Sequence, residues 1–110
     1  MAFHSIIVYE IINNGDILNG IFTANDKPKY LIYNEIATKI SGIANRPIGK
    51  YNLRFTDING VSEGEMEITY SNGVYEFLQV VYDGTTVICK FRGLGFKSGN
   101  NHLSFSYWQL

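Results

Sequence analysis

Cysteine is nearly absent from this sequence, and its scarcity restricts the kind of protein that the chain can form. Cys89 is the single cysteine, so no disulfide can form within the chain, and the disulfide-stapled secreted domains are excluded. We identify neither a signal peptide near the N-terminus nor an apolar run approaching the ~20 residues that cross a membrane. We therefore expect a cytoplasmic protein with no membrane partner.

Charge of one dominant sign is also lacking. Nine Lys and Arg residues stand against ten Asp and Glu residues, which leaves a net charge of -1. Nucleic-acid binders concentrate basic charge, so this balance argues against a nucleic-acid partner. With 110 residues, 45% of them hydrophobic, the chain is long enough and apolar enough for a single domain over residues 1–110 with its own core.

Signatures of catalysis and metal binding are missing as well. His4 and His102 lack the neighbouring ligands that a metal site needs, and Cys89 has no base at a spacing typical of a nucleophile. No phosphate-binding or dinucleotide-binding glycine motif occurs. Alternating glutamates on one strand are typical of a solvated face: Glu63, Glu65 and Glu67. We predict a protein that is not an enzyme and that has no metal or cofactor.

Turn signals between β-branched and aromatic runs are abundant. Asn-Gly and Asp-Gly favour two-residue reverse turns because both central residues take positive φ. Such turns are expected at Asn14-Gly15, Asn59-Gly60, Asn72-Gly73, Asp83-Gly84 and within residues 98–101. Along the second half of the chain, the spacing of Gly60, Gly73, Gly84 and Gly99 leaves one strand between consecutive turns. It therefore indicates an antiparallel meander of seven strands, or of eight if residues 30–33 also pair.

Residues 34–41 allow two interpretations. Asn34 can cap a short helix, and Glu35 and Lys39 have the i,i+4 spacing of a helical ion pair. The alternative is that residues 30–40 form one long strand. We predict the helix and keep the strand as the alternative.

A meander of this length has two unpaired edges unless it closes on itself. The predicted fold is therefore all-β, an up-and-down antiparallel meander that closes into a small barrel of about eight strands with one short helix. An open, curved sheet wrapped on the helix is the alternative. Gly93 and Gly95 interrupt a strand and suggest a bulge or bend where the sheet can close. Residues 5–12 and 74–82 are apolar on both faces. We therefore expect the helix or a second subunit to pack on their outer face, and a homodimer is one expected form.

Four segments carry a resemblance to a known family. They are Leu-Asn-Gly-Ile-Phe-Thr at 18–23, Ile-Gly-Lys-Tyr at 48–51, Phe-Arg-Gly-Leu-Gly-Phe at 91–96 and Leu-Ser-Phe-Ser-Tyr-Trp at 103–108. The chain resembles the calycin-like proteins, the class that includes the avidins and lipocalins, and looks most like their small uncharacterised bacterial members. The lipocalin Gly-x-Trp is absent after Gly20, and Trp108 is the single tryptophan. The resemblance implies a barrel with a lumen rather than a particular ligand.

Aromatic residues on the apolar faces of consecutive strands are the predicted ligand-binding residues: Tyr51, Phe55, Tyr70, Tyr75, Phe77, Phe105 and Tyr107. In a small barrel such side chains can fill the interior, or they can line a pocket for one small ligand. Tyrosine hydroxyls, Gln79 and Arg54 are candidate polar anchors if they point inward. We predict a non-enzymatic binding module for a small apolar or amphipathic ligand in the lumen. The alternative is a structural or interaction protein with a filled core that acts as a homo-oligomer.

Overall fold

Eight antiparallel strands follow one another along the chain and close into a barrel. The computed structural model describes residues 4–25, 31–57 and 60–110. Its strands are β1 (Ser5–Ile12), β2 (Ile17–Ala24), β3 (Tyr33–Ile43), β4 (Ile48–Asp57), β5 (Gly60–Ser71), β6 (Val74–Asp83), β7 (Thr86–Gly99) and β8 (His102–Gln109). Each strand pairs with the next, and β1 also pairs with β8, which closes the sheet. The predicted up-and-down barrel is confirmed.

The described connections follow the predicted turn chemistry in part: Gly84 has a φ of 63°, but Asp83 of the predicted Asp83-Gly84 turn belongs to β6 and does not have a positive φ. Between β5 and β6, Asn72 and Gly73 both have positive φ, 51° and 86°. Between β1 and β2 the chain makes a 3-10 turn over Asn13–Gly15. The turn predicted at residues 59–60 falls partly on Asn59, which lies outside the described residues.

The helix predicted over residues 34–41 is wrong, because this segment belongs to β3. Its side chains alternate as in a strand, with Glu35 and Ala37 buried and Ile36 exposed. β3 pairs with β2 on one side and β4 on the other. These two ladders outweigh a local helix preference that is too weak to stabilise so short a helix.

The short strand suggested at residues 30–33 does not stand as a separate element. β3 begins at Tyr33, residues 31 and 32 belong to no regular element, and Tyr30 lies outside the described residues. No helix of the described chain is long and apolar enough to cross a membrane.

The barrel interior is filled by side chains from alternate positions of the strands. Its largest fully buried members are Tyr9, Tyr51, Phe77 and Phe105. The ring centroids of Phe77 and Phe105 lie 4.8 Å apart, and those of Tyr9 and Phe105 lie 6.0 Å apart in an edge-to-face arrangement. Contacts of this geometry stabilise a core beyond the burial of apolar surface alone.

The two ends of the barrel differ. We call the end where the 3-10 turn joins β1 to β2 the turn end. There the Tyr51 hydroxyl donates a hydrogen bond to the Gly15 carbonyl at 2.6 Å. Pro47 is buried there, and the Lys39 ammonium donates to the carbonyl of Ile43 at 2.7 Å. Loops therefore cover the turn end. The opposite end, where β1 begins and β8 ends, is called the terminal end below.

Gly93 makes room for an aromatic ring. The bulge expected at Gly93 and Gly95 is wrong, since β7 keeps its register with both neighbours there, and the register shifts lie elsewhere along the strand. A Cβ atom added at Gly93 would overlap the ring of Phe77, which is 1% exposed. The missing side chain is thus a packing requirement of the interior.

A methyl group at Gly93 should therefore destabilise the protein. We expect Gly93→Ala to lower the free energy of unfolding by about 1–3 kcal/mol, because the Phe77 ring must move within a filled interior. Urea unfolding followed by circular dichroism measures this change.

Gly99→Ala is the matched control, because the nearest side-chain atom to a Cβ there is His102 Nδ1 at 3.7 Å. This control should stay within about 0.5 kcal/mol of the parent chain. Equal stability of the two variants would contradict the packing role of Gly93.

Candidate functional site

Three polar side chains from three different strands meet inside the barrel. Tyr9 of β1, Glu35 of β3 and Gln79 of β6 are 0%, 4% and 6% exposed. The Tyr9 hydroxyl donates a hydrogen bond to Glu35 Oε2. Gln79 Nε2 donates to the Tyr9 hydroxyl at 3.1 Å and lies 3.4 Å from Glu35 Oε2. We call these three residues the polar cluster.

Gly20 of β2 allows the polar cluster to form. It is the register partner of Tyr9 on one side and of Glu35 on the other. A Cβ atom at Gly20 would lie 2.8 Å from Tyr9 Cε1, which is closer than real Cβ contacts come. The Tyr9 ring therefore crosses over the backbone of β2, and its hydroxyl reaches the carboxyl group of Glu35.

Burial dominates the electrostatics of the polar cluster. It raises the pKa of Glu35 to about 7, although the hydrogen bonds from Tyr9 and Gln79 act in the opposite direction. Burial also raises the pKa of Tyr9, and the neighbouring Glu35 charge adds to this rise. The cluster can therefore exchange a proton near neutral pH at Glu35, and its carboxylate can accept a hydrogen bond from a donor group.

Among the described residues, five aromatic side chains face inward towards the terminal end: Phe22, Tyr33, Phe55, Phe91 and Tyr107. We call them the aromatic end cluster. The ring centroids of Phe22 and Phe55 lie 6.0 Å apart, and those of Phe91 and Tyr107 lie 5.7 Å apart. Tyr33, Phe55 and Phe91 are half-buried, so part of each side chain is accessible to solvent.

Register connects the aromatic end cluster to the polar cluster. Phe55 is the cross-strand partner of Glu35, and Phe91 is the cross-strand partner of Gln79. Directly opposed side chains on one face of a sheet have Cβ atoms ~5 Å apart. Two partly exposed aromatic rings therefore lie next to two buried polar groups.

The seven aromatic residues predicted from the sequence do not gather at one place. Four are buried along the interior: Tyr51, Tyr75, Phe77 and Phe105. Tyr70 is 42% exposed at the turn end, and its ring centroid lies 4.7 Å from that of Tyr75. Phe55 and Tyr107 belong to the aromatic end cluster. Ring contacts link Phe77 to Phe105 and to Tyr107, and Phe105 also contacts Tyr9 of the polar cluster, whereas Phe55 adjoins Glu35 across the β3–β4 ladder.

Comparison with protein-family models, with curated proteins and with solved structures found no match to this chain. The functional argument therefore depends on the geometry of the barrel itself.

The polar anchors suggested by the sequence lie on different faces of the sheet. Gln79 points inward, as an anchor must, whereas Arg54 is exposed on the outer face of β4. The sequence does not predict Glu35 as a site residue, and Tyr9 is not one of the tyrosines named in the predicted binding set. The helical interpretation paired Glu35 with Lys39 on a surface. The period of two in Tyr33, Glu35 and Ala37, which all face inward, is the signal that indicates a buried glutamate.

Two concavities are described outside the polar cluster. One, of about 470 Å³, lies beside the starts of β5 and β7 and includes Glu63, Glu65 and Asp83 in its lining. The other, of about 420 Å³, is formed by residues 4–6 and 23–25. Neither has a member of the polar cluster in its lining. In the described part of the chain, no three His, Cys, Asp or Glu residues are arranged to hold a metal ion.

The raised pKa of Glu35 should make stability depend on pH. Between its ordinary value of 4.5 and about 7, the folded chain holds the Glu35 proton and the unfolded chain does not. Stability contributed by this group is therefore present below about pH 4.5 and falls as the pH rises to about 7, by roughly 3 kcal/mol in total. Urea unfolding over a pH series, compared between the parent chain and Glu35→Gln, isolates this contribution.

Glu35→Gln should flatten the pH dependence over that interval, since the amide does not titrate. Glu67→Gln, at an exposed position of β5, should keep the profile of the parent chain. A parental pH profile in Glu35→Gln would refute the assignment of the titration to Glu35.

Proposed function

We propose that this barrel is a non-enzymatic binding module for one small amphipathic molecule, taken up at the terminal end. In this proposal the apolar part packs against the aromatic end cluster, and the polar part meets the polar cluster. The observation that carries the proposal is the register that sets half-buried Phe55 and Phe91 beside buried Glu35 and Gln79. Small-molecule sites typically combine such an apolar lining with a few polar groups.

The contrast between the two barrel ends supports the choice of the terminal end. At the turn end, the Tyr51–Gly15 hydrogen bond and buried Pro47 belong to loops that lie across the barrel. At the terminal end, the interior meets solvent at aromatic side chains that are only half-buried. An apolar molecule approaching this end gains contact with aromatic rings without displacing a loop of the turn end.

The chemistry of the polar cluster favours a ligand that donates a hydrogen bond. The Glu35 carboxylate is acceptor-only when ionised, and burial makes an additional donor valuable to it. An amine or hydroxyl group satisfies this requirement. A carboxylate ligand would instead bring a second negative charge beside Glu35, which is unfavourable in a poorly solvated site.

The architecture also supports assignment of the chain to a particular class of barrel. Closed, up-and-down barrels of eight antiparallel strands are characteristic of lipocalins and streptavidin, so we infer a calycin-like barrel of the kind found in small bacterial proteins. Cys89 is a free cysteine, which fits the reducing environment of a cytoplasm. The filled middle of the interior fits a small ligand held near one end.

Binding can be tested with three eight-carbon probes at pH 8: octylamine, octanol and octanoate. We expect octylamine and octanol to shift the NMR resonances of Phe55, Phe91 and their neighbours, with octylamine binding more tightly. Octanoate should not bind. Absence of any probe-dependent shift at the aromatic end cluster, with all three probes, would overturn the proposal.

Two variants make this test specific. Glu35→Gln should keep octanol binding and lose the preference for octylamine, because the ammonium then has no charged partner. Tyr70→Ala removes an exposed aromatic ring at the turn end and should leave binding of all probes unchanged. Loss of binding in Tyr70→Ala would indicate that the ligand binds at the turn end and would contradict the proposal.

A further inference from the structure

The outside of the barrel carries an apolar face over four neighbouring strands. We define this apolar face by Ile6 and Val8 of β1, Ile21 of β2, and Leu94 and Phe96 of β7. Ile6, Ile21, Leu94 and Phe96 remain 52%, 50%, 45% and 61% exposed, and Val8 is half-buried. These side chains stand outward from the sheet, so they contribute nothing to the filled interior.

The strand register makes the apolar face continuous and arranges it as two ridges with a trough between them. Val8 is the partner of Ile21 on one side and of Ser104 on the other. Ser104 is in turn the partner of Phe96. In the next row, Ser106 lies between Ile6 and Leu94 in the same way. Two short serine side chains of β8 therefore form a trough between a ridge on β1 and a ridge on β7.

Charged ladders occupy another part of the outer wall. On β4 and β5, Lys50 is the partner of Glu67 and Arg54 is the partner of Glu63, and all four are exposed. Opposite charges placed across a ladder stabilise a solvated sheet. No charged residue occupies the five positions of the apolar face or the two serine positions between its ridges. The apolar face is therefore separate from the charged ladders of β4 and β5, while other exposed apolar side chains, such as Leu78 and Ile88, lie elsewhere on the wall.

We propose that the apolar face binds the same face of a second copy of this chain. The ridge and trough are complementary to themselves, so a two-fold dimer can place the Leu94–Phe96 ridge of each copy over the Ser104–Ser106 trough of the other. A single surface patch then supplies both halves of the contact. The proposal concerns the outer wall and is independent of ligand binding inside the barrel.

The size of the apolar face fits a homodimer. A standard interface buries about 800 Å² on each partner, of which roughly 65% is apolar in homodimers, or about 500 Å². The exposed fractions of Ile6, Ile21, Leu94 and Phe96 correspond to roughly 400 Å² of apolar surface. Half-buried Val8 adds to this area. The face thus supplies most of the apolar surface that a stable dimer needs.

The charges around the apolar face also favour a second copy over a charged partner. Glu10 and His102 are register partners at one margin, and Arg92 pairs with Glu76 at 2.5 Å near the other. Neither pair carries an excess of basic charge, and the whole chain has a net charge of -1. A nucleic acid or an anionic membrane would require a basic margin instead.

Sedimentation velocity of the full chain over a hundredfold range of micromolar concentrations tests the proposal. The parent chain should reach twice its mass of 12.5 kDa. Phe96→Glu removes the ridge and places a charge on it, and it should weaken dimerisation roughly thirtyfold or more. Ser106→Arg fills the trough and should have a similar effect, because the opposing ridge no longer fits.

Val61→Glu is the matched control, since Val61 is 58% exposed on β5 and lies outside the apolar face. This variant should dimerise like the parent chain, and all variants should keep the circular dichroism spectrum of the barrel. A parent chain that stays at 12.5 kDa throughout would overturn the proposal. So would equal dissociation by Val61→Glu, or a monomer that binds neutral phosphatidylcholine vesicles through the apolar face.

Discussion

The pairing of β1 with β8 is the constraint on which the rest of the molecule depends. Once the sheet is closed, its interior has a fixed volume, and each inward position must take a side chain of suitable size. Large rings at Tyr9 and Phe77 are matched by missing side chains at Gly20 and Gly93. The polar cluster follows from the same matching, because the Tyr9 ring crosses Gly20 and its hydroxyl reaches Glu35.

Closure also gives the barrel an interior, two ends and an outer wall that differ in their side chains. The interior combines apolar packing with one buried carboxyl group whose pKa lies near neutrality. Within residues 4–25, 31–57 and 60–110, loops cover the turn end, and partly accessible aromatic rings lie at the terminal end. Outside, the charged ladders of β4 and β5 lie away from the apolar side chains of β1, β2 and β7.

Much of this fold can be predicted from the sequence, because strands and tight turns leave local signals. Glu65, Met66, Glu67 and Ile68 alternate between polar and apolar, and the structure buries Met66 and Ile68 as that pattern indicates. The barrel itself followed from the need to pair both edges. Residues 34–41 were misassigned because helix capping and ion-pair spacing are local signals, whereas the two ladders that fix β3 come from distant segments.

The candidate site was harder to predict than the fold. Gln79 stands out as a polar residue in an apolar strand, but nothing near Tyr9 in sequence indicates that its hydroxyl needs a partner on β3. Gly93 looked like a break in a strand, since its packing partner Phe77 lies on β6. Which aromatic residues meet at one end depends on register across several strands, and this is set by the closed sheet as a whole.

The bond that joins the Ser5 hydroxyl to the Tyr107 carbonyl spans 102 positions of the chain, and this has a consequence for how the protein is made. During synthesis β1 must wait for β8, so every earlier intermediate carries at least two open edges. Contacts of such long sequence separation form slowly, and open edges recruit other strands. Until β8 is present, intermolecular pairing at these open edges therefore competes with closure of the barrel.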